Sequence, residues 1–325
     1  MAIYLKKFST HSEYDAYING SDAILPNVSI CTTESDVHYN PYVEPETRVV
    51  AKFNVTSTSS PTKISSQYAT NPFSAIEIDG VIQPTVETTY TFSTTGEHTV
   101  KYTLTDPTSI GNSAFRSCYD LTSIVIPDSV TSIGIWAFDS CISLTSCTIG
   151  SGVTRIDGSA FSSCYNLTSI DIPDSVTEIG SQVFQNCSGL TSCTIGSGVT
   201  SIGESAFTSC FSITTIGLIG SGASLEIPST LKYIYSEAFQ YCSGITSVTL
   251  PISIQSIGRW AFRECDRLKN ITSLATTAPR IQSNTFYLVD WNGTLTVPQG
   301  SSGYDVWMGT GDYYLGKYNW TKVEQ

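Results

Sequence analysis

Between Ile110 and Ile271 the chain repeats itself every 23 residues. The first unit reads Ile110-Gly-Asn-Ser-Ala-Phe115-Arg-Ser-Cys118-Tyr-Asp-Leu121-Thr-Ser-Ile124-Val-Ile126-Pro127, and its frame returns at Ile133, Ile156, Ile179 and Ile202. A nine-residue insertion around Gly217–Ser224 interrupts the frame before it resumes at Ile234 and Ile257. A self-similar period in the twenties specifies a solenoid. One unit carries too few apolar side chains to bury a core alone, so its Ile, Phe, Cys and Leu must stack on their equivalents in neighbouring units.

The pattern within a unit assigns its faces. Ile124 and Ile126 lie two apart and share one side of a strand, while Ser123 and Val125 take the other. Pro127, or Gly150 in the next unit, ends that strand, since neither continues a strand well. Val130, Ile133, Ala114 and Phe115, with their equivalents, close the coil from the opposite side. Alternate units carry Ile-Pro-Asp-Ser-Val (126–130 and 172–176) and Ile-Gly-Ser-Gly-Val (149–153 and 195–199), which reads as a duplicated 46-residue unit.

The pattern I-G-x-x-A-F-x-x-C-x-x-L-T-S-I-x-I-P-x-S-V resembles the BspA-type leucine-rich repeat, a family widespread in surface and secreted proteins of gut and oral bacteria, in some protists and in their phages. The resemblance covers about half the chain, and seven units agree at six or more positions. It implies a right-handed superhelix with one short strand per unit, and a binding role rather than catalysis.

The flanks read as separate modules. Ile3–Phe8, Val28–Thr32 and Val37–Asn40 are strand-like, and Thr10-His-Ser-Glu13 is a capping box that starts a short helix. This leader, with Tyr4-Leu-Lys-Lys-Phe8, Leu25-Pro-Asn-Val-Ser-Ile30 and Val37-His-Tyr-Asn-Pro41, resembles amino-terminal segments of virion-associated proteins of Bacteroides phages, including the crAss-like group. Arg48–Val55, Ala75–Ile78, Thr88–Phe92 and His98–Leu104 read as strands separated by turns at Asp79-Gly80 and Thr95-Gly96. The run from Tyr90 to Leu104 is similar to the last hairpin of immunoglobulin-like and PKD-like domains. At the far end, Ala278–Phe286 is a degenerate unit. Gly293–Pro298, with Tyr304, Trp307, Tyr313, Tyr314, Tyr318 and Trp320, resembles the family's cap, where the aromatics serve first as cap core.

Composition removes several classes of function. A net charge of −12, with only 14% of residues charged, supplies no Lys/Arg cluster for phosphates and argues against nucleic acid. No apolar run approaches a transmembrane helix, and the polar stretch Ser9–Asp15 after Met1–Phe8 shows no secretion signal. Seven of the ten cysteines (Cys118, Cys141, Cys164, Cys187, Cys210, Cys242, Cys265) share one repeat position. An odd ladder of parallel side chains reads as buried free thiols acting as small apolar filler, and Cys147 and Cys193 replace strand isoleucines in the same sense. All three histidines (His11, His38, His98) lie outside the repeats, so no zinc spacing and no nucleophile–histidine pair is present. Asp128, Asp171 and Asp174 fall at turn or outward strand positions. No catalytic, cofactor or metal residues are assigned.

What remains is recognition. One candidate surface is the hydroxyl-rich strand face of Ser123, Ser146, Ser169, Ser192, Thr215 and Ser247, flanked by Val125, Thr148, Asp171, Thr194 and Thr249. The other is an aromatic set, Tyr119, Tyr165, Phe211 and Tyr241 with Trp136 and Trp260, read as packing between turns before ligand binding.

The sequence therefore predicts a mainly β protein: a leucine-rich-repeat solenoid preceded by a small β-rich leader module and an Ig-like β-sandwich. Residues 1–45 form the attachment module, 46–104 the Ig-like or PKD-like domain, 105–275 the repeats, and 276–325 the degenerate repeat and cap. Residues 105–325 are expected to fold alone, with the amino-terminal end of the repeats uncapped. The expected function is that of a non-enzymatic virion-associated structural and adhesion protein of a gut bacteriophage, as capsid decoration, head fibre or tail protein. The alternative is a bacterial BspA-like cell-surface adhesin. The expected partners are a capsid or tail protein through residues 1–45 and a host-surface protein or glycan through the repeats. Nucleic acid and membrane are not expected partners, and homo-oligomerisation is left open.

Overall fold

A computed structural model describes residues 3–6, 28–31, 48–69, 72–217, 225–226, 228–311 and 314–325. Two compact units divide the chain, residues 1–46 and 47–325. In the first, β1 (Ile3–Lys6) pairs antiparallel with β2 (Val28–Cys31), Ile3 opposite Cys31. The expected helix after Thr10, the strand at Val37–Asn40, the insertion loop 218–224 and Tyr313 lie outside the described residues.

In the second unit each coil of the solenoid has three sides. A two-residue strand, from β9 (Ser109–Ile110) in the first coil to Arg280–Ile281 in the last, builds an eight-stranded parallel sheet. A run of tandem turns follows. A longer strand, β10 (Leu121–Val125) in the first coil, makes the third side and pairs in parallel with Ser146–Thr148. Later coils repeat the arrangement to Thr294–Val297, and Thr321–Glu324 adds a final parallel strand. Ile124 and Ile126 face inward while Val125 is exposed, as the alternation requires.

The tandem turns account for much of the motif. In the first coil Ala114, Arg116 and Cys118 each donate to the carbonyl three residues back (Gly111, Ser113, Phe115). Between those bonds Ser113, Phe115 and Ser117 donate to Ile135, Ala137 and Asp139 of the next coil at 2.7–2.9 Å. Two residues per coil take positive φ, Ser113 and Ser117 here, and the same positions recur in every coil. Such backbone is unfavourable for a bulky residue and persists only where surrounding bonds over-determine it. The ladder does this, and it holds even Trp136 at φ 57°.

The core is a set of columns. Phe115, Phe138, Phe161, Phe184, Phe207, Phe239, Phe262 and Phe286 stack with ring centroids 4.9–5.9 Å apart and planes within 22°. Beside them the cysteines are unpaired and buried. They are more than filler. Cys141 Sγ donates to Phe115 O at 3.1 Å, and Cys164, Cys187, Cys210, Cys242 and Cys265 repeat the bond to the preceding coil's phenylalanine. Each carbonyl also accepts the N–H that closes the last turn, so the thiol uses its second lone pair. Corner threonines form similar ladders, Thr145 to Thr122 O and Thr154 to Thr131 O.

The 46-residue alternation has a steric cause. Asp128 Oδ1 accepts from both the N–H and the hydroxyl of Ser151 in the next coil, and Asp174 does the same for Ser197. A side chain at Gly150 or Gly152 would overlap the backbone of Pro127 or Asp128. The Gly-Ser-Gly corner therefore nests on the Pro-Asp-Ser corner before it, and the coils are built in pairs.

Residues 48–104 supply the strands expected there, in an arrangement that corrects the expectation of an uncapped amino-terminal end. β3 (Val49–Val55) pairs antiparallel with β10, and β8 (Gly96–Leu104) and β5 (Phe73–Ile78) extend the same sheet. β6 (Val81–Ile82) forms its outer edge. A short ribbon of β4 (Thr62–Lys63) and β7 (Thr89–Tyr90) lies apart from that sheet. Phe73 and Tyr102 pack on Phe115, with centroids 5.2 and 5.0 Å away, closing the phenylalanine column. The solenoid is thus capped at its amino-terminal end, and residues 105–325 lack that cap. The expectation failed because the pairing of β3 with β10 joins segments some 70 residues apart, and strand pattern does not encode such a partner.

Candidate recognition surface

The six aromatic candidates separate into two groups. Tyr119, Tyr165 and Phe211 each follow the cysteine of alternate coils and are 53%, 47% and 51% exposed, in no ring contact with one another among the described residues. About half of each of these three side chains is therefore open to solvent. Ile142 and Ser188 occupy the same position in the coils between. Tyr241 precedes Cys242 and so sits on the adjacent turn instead of in the row.

Trp136 and Trp260 occupy the first positive-φ position of their coils, and arginines cover both. The Arg116 guanidinium lies 5.2 Å from the Trp136 ring and pairs with Asp139 at 3.0 Å. Arg259 lies 3.8 Å over Trp260, and Arg263 is within 5.7 Å of the Trp260, Tyr241 and Tyr287 rings while pairing with Glu264 at 2.9 Å. Cation–π contacts of this kind fix side chains that would otherwise move freely. Motif spacing could not reveal these arginines, because they fall at a variable position of the repeat.

Beyond Phe211 the row changes character. Its next members are Ser243, Asp266 and Asp290, all shorter, so the surface falls away over three coils. Trp291, 54% exposed and set edge-on against Tyr318 at 5.4 Å, raises the far wall. The result is an open depression of about 640 Å³ lined by Phe211, Tyr241, Glu264, Asp266, Trp291 and Tyr318 among others. Of the sequence candidates only Phe211 and Tyr241 line it. Trp291 was missed because its unit is degenerate, and Tyr318 because it was read as cap core, which it also is.

The hydroxyl face is built as its alternation implies. Ser146, Thr148, Ser169 and Asp171 are exposed, whereas the corner threonines spend their hydroxyls on the ladder. Burial pushes the Cys118 and Cys187 thiols up to about 12, and the other described thiols shift in the same direction for the same reason. His98 is held between Asp79 Oδ2 at 2.7 Å and Thr94 O at 2.9 Å in the amino-terminal cap. Among the described residues no group of His, Cys, Asp and Glu could hold a metal ion, and no helix is long and apolar enough to cross a membrane.

The family model for the BspA type leucine rich repeat region matches in six copies over residues 108–222 and 219–302, more than half of the chain. The chain belongs to that family. This BspA-type solenoid is similar to a leucine-rich repeat protein of T. pallidum, with 24% identity over 56% of this chain and 69% of that one and a TM-score of 0.40. It is also similar to a leucine-rich repeat protein from Eubacterium ventriosum, with 21% identity over 59% and 64% and a TM-score of 0.32. A leucine rich cell surface protein from Faecalibacterium prausnitzii matches at 22% identity over 67% and 76%, with a TM-score of 0.30. No curated protein matches the chain.

Proposed function

We propose that this chain is a non-enzymatic adhesion protein that presents its BspA-type repeats to a surface ligand. The observation that carries the reading is the line of half-exposed aromatics Tyr119, Tyr165 and Phe211 on a rigid scaffold. Exposed aromatics without an intramolecular partner leave apolar surface in water and anchor interfaces when covered. The setting we favour is a bacterial cell surface, in keeping with where the family is found. The test is adhesion of the full chain to immobilised mucins and to bacterial cells. The variant carrying Tyr119→Ala, Tyr165→Ala and Phe211→Ala should lose most of it at an unchanged melting temperature. Undiminished adhesion would remove the aromatic row and transfer the role to the Ser/Thr face.

A second reading, a virion-associated protein of a gut phage, rests on the resemblance of the leader residues alone. It makes residues 1–45 the contact with a capsid or tail protein. A reporter fused to residues 1–104 should then enter virions during infection, and its exclusion would leave the cell-surface reading.

A further inference from the structure

The depression at the carboxy-terminal end of the row has a chemistry that narrows its ligand, and this inference rests on the adhesion reading above. Its walls are aromatic at both ends, Phe211 on one side and Trp291 with Tyr318 on the other. Its floor and flank are acidic. Asp290 Oδ1 accepts the Trp291 N–H at 2.7 Å, and its other oxygen lies 3.5 Å from Lys269 Nζ. Glu264 is tied to Arg263 at 2.9 Å. Asp266 is exposed and, among the described residues, forms no ion pair, so both its oxygens are available as acceptors. Lys317 is the single cation of the lining, against three carboxylates.

Aromatic walls present flat faces to C–H bonds, and an available carboxylate accepts two hydroxyl donors at once. A ligand that offers both has alternating apolar faces and hydroxyl edges, which describes a pyranose. The depression spans the coils from Phe211 to Trp291, three steps of ~4.8 Å each, room for a short oligosaccharide and not for a single sugar alone. Arg263 and Lys269, paired with Glu264 and Asp290, and Lys317 of the lining offset the three carboxylates, so the depression favours neither an anionic nor a cationic ligand. We propose that this depression is a binding site for neutral oligosaccharides, with Trp291 and Phe211 as stacking platforms and Asp266 as the hydroxyl acceptor.

The test uses the full chain with cellotriose, maltotriose, mannotriose and tri-N-acetylchitotriose as neutral probes, and sialyllactose and an oligolysine peptide as charged ones. Tryptophan fluorescence and saturation-transfer NMR read the binding. At least one neutral trisaccharide should bind saturably, and Trp291→Ala and Asp266→Asn should each weaken it by about tenfold. Trp291 is half exposed and Asp266→Asn is isosteric, so both variants should melt with the parent chain. Sialyllactose and oligolysine should not compete. Absence of neutral trisaccharide binding, equal binding by both variants, or preference for either charged probe would overturn the proposal. A chain that still adheres to mucin through Tyr119 and Tyr165 while failing these tests would lose the depression and keep the adhesion reading.

Discussion

The two ends of the solenoid close the same phenylalanine column by different means. At the amino-terminal end β3 runs antiparallel to β10, and the sheet continues through β8 and β5, whose Tyr102 and Phe73 cover Phe115, so the ladder of parallel coils stops there. At the carboxy-terminal end the parallel ladder continues through Thr321–Glu324, while Trp307 from the 3₁₀ turn Tyr304–Val306 seats on Phe286 at 5.3 Å. Tyr304 donates to Ala275 O at 2.8 Å and meets Ser273 Oγ at 2.6 Å, locking that turn to the last coils. One end therefore changes strand direction, and the other keeps it, with Lys322 of Thr321–Glu324 paired to Asp305 at 2.7 Å. A repeat array can be closed by any element that supplies an aromatic plug and satisfies the last row of backbone groups.

The largest effect expected is that of removing one closure. A chain shortened to residues 105–325 should lose its cooperative thermal transition or aggregate, because Phe115 and the edge of β10 become exposed. Removal of residues 1–46 should leave that transition in place. A cooperative melt of the 105–325 fragment, followed by circular dichroism, would show that the amino-terminal sheet is an appendage and not a cap.

Next come the plugs themselves. Phe73→Ala and Trp307→Ala should each cost about 3–5 kcal/mol in urea unfolding. Hydrogen exchange should place the loosened amides of each variant in the half of the solenoid nearest to it, since coils are stabilised chiefly by their neighbours. Uniform loosening from either end would mean that the array unfolds as one block.

Between the ends, Cys187→Ala should cost about 2 kcal/mol through loss of both volume and the bond to Phe161 O. Cys187→Ser should cost less, about 1 kcal/mol, because a hydroxyl can donate to the same carbonyl. A larger penalty for serine than for alanine would return the column to purely apolar packing.

The smallest effect belongs to the amino-terminal cap alone. Burial raises the Asp79 carboxyl, but the His98 imidazole and the Thr99 N–H outweigh it and hold the group below its ordinary value of 3.8. A depressed carboxyl contributes stability above its unfolded value and loses it as pH falls through the folded one. Asp79→Asn should therefore lower the urea midpoint slightly at pH 7 and leave it unchanged near pH 2. An equal loss at both pH values would assign the effect to packing.

The repeat frame was legible because every coil restates it. Ile110, Phe115, Cys118, Leu121, Ile124 and Ile126 are buried as their spacing implies, and Tyr304, Trp307 and Trp320 form cap core. The site was legible in part. Tyr119, Tyr165 and Phe211 stood out by recurrence, whereas Asp266 holds the same position but breaks the aromatic run, and Trp291 and the arginines over the tryptophans fall where the repeat has no consensus, so pattern carries no signal for them.

Periodicity along the chain determines which residues stack on which, because in a solenoid each contact joins positions one period apart. That much belongs to the amino-acid sequence by itself: the coils, their buried columns and the family. What closes the amino-terminal end, why the corners alternate, which carbonyl each thiol meets and where the surface dips were decided only in the tertiary structure. Those features depend on contacts between segments that share no period, or on backbone approaching within van der Waals distance of another coil, and neither is written in the spacing of residues along one strand.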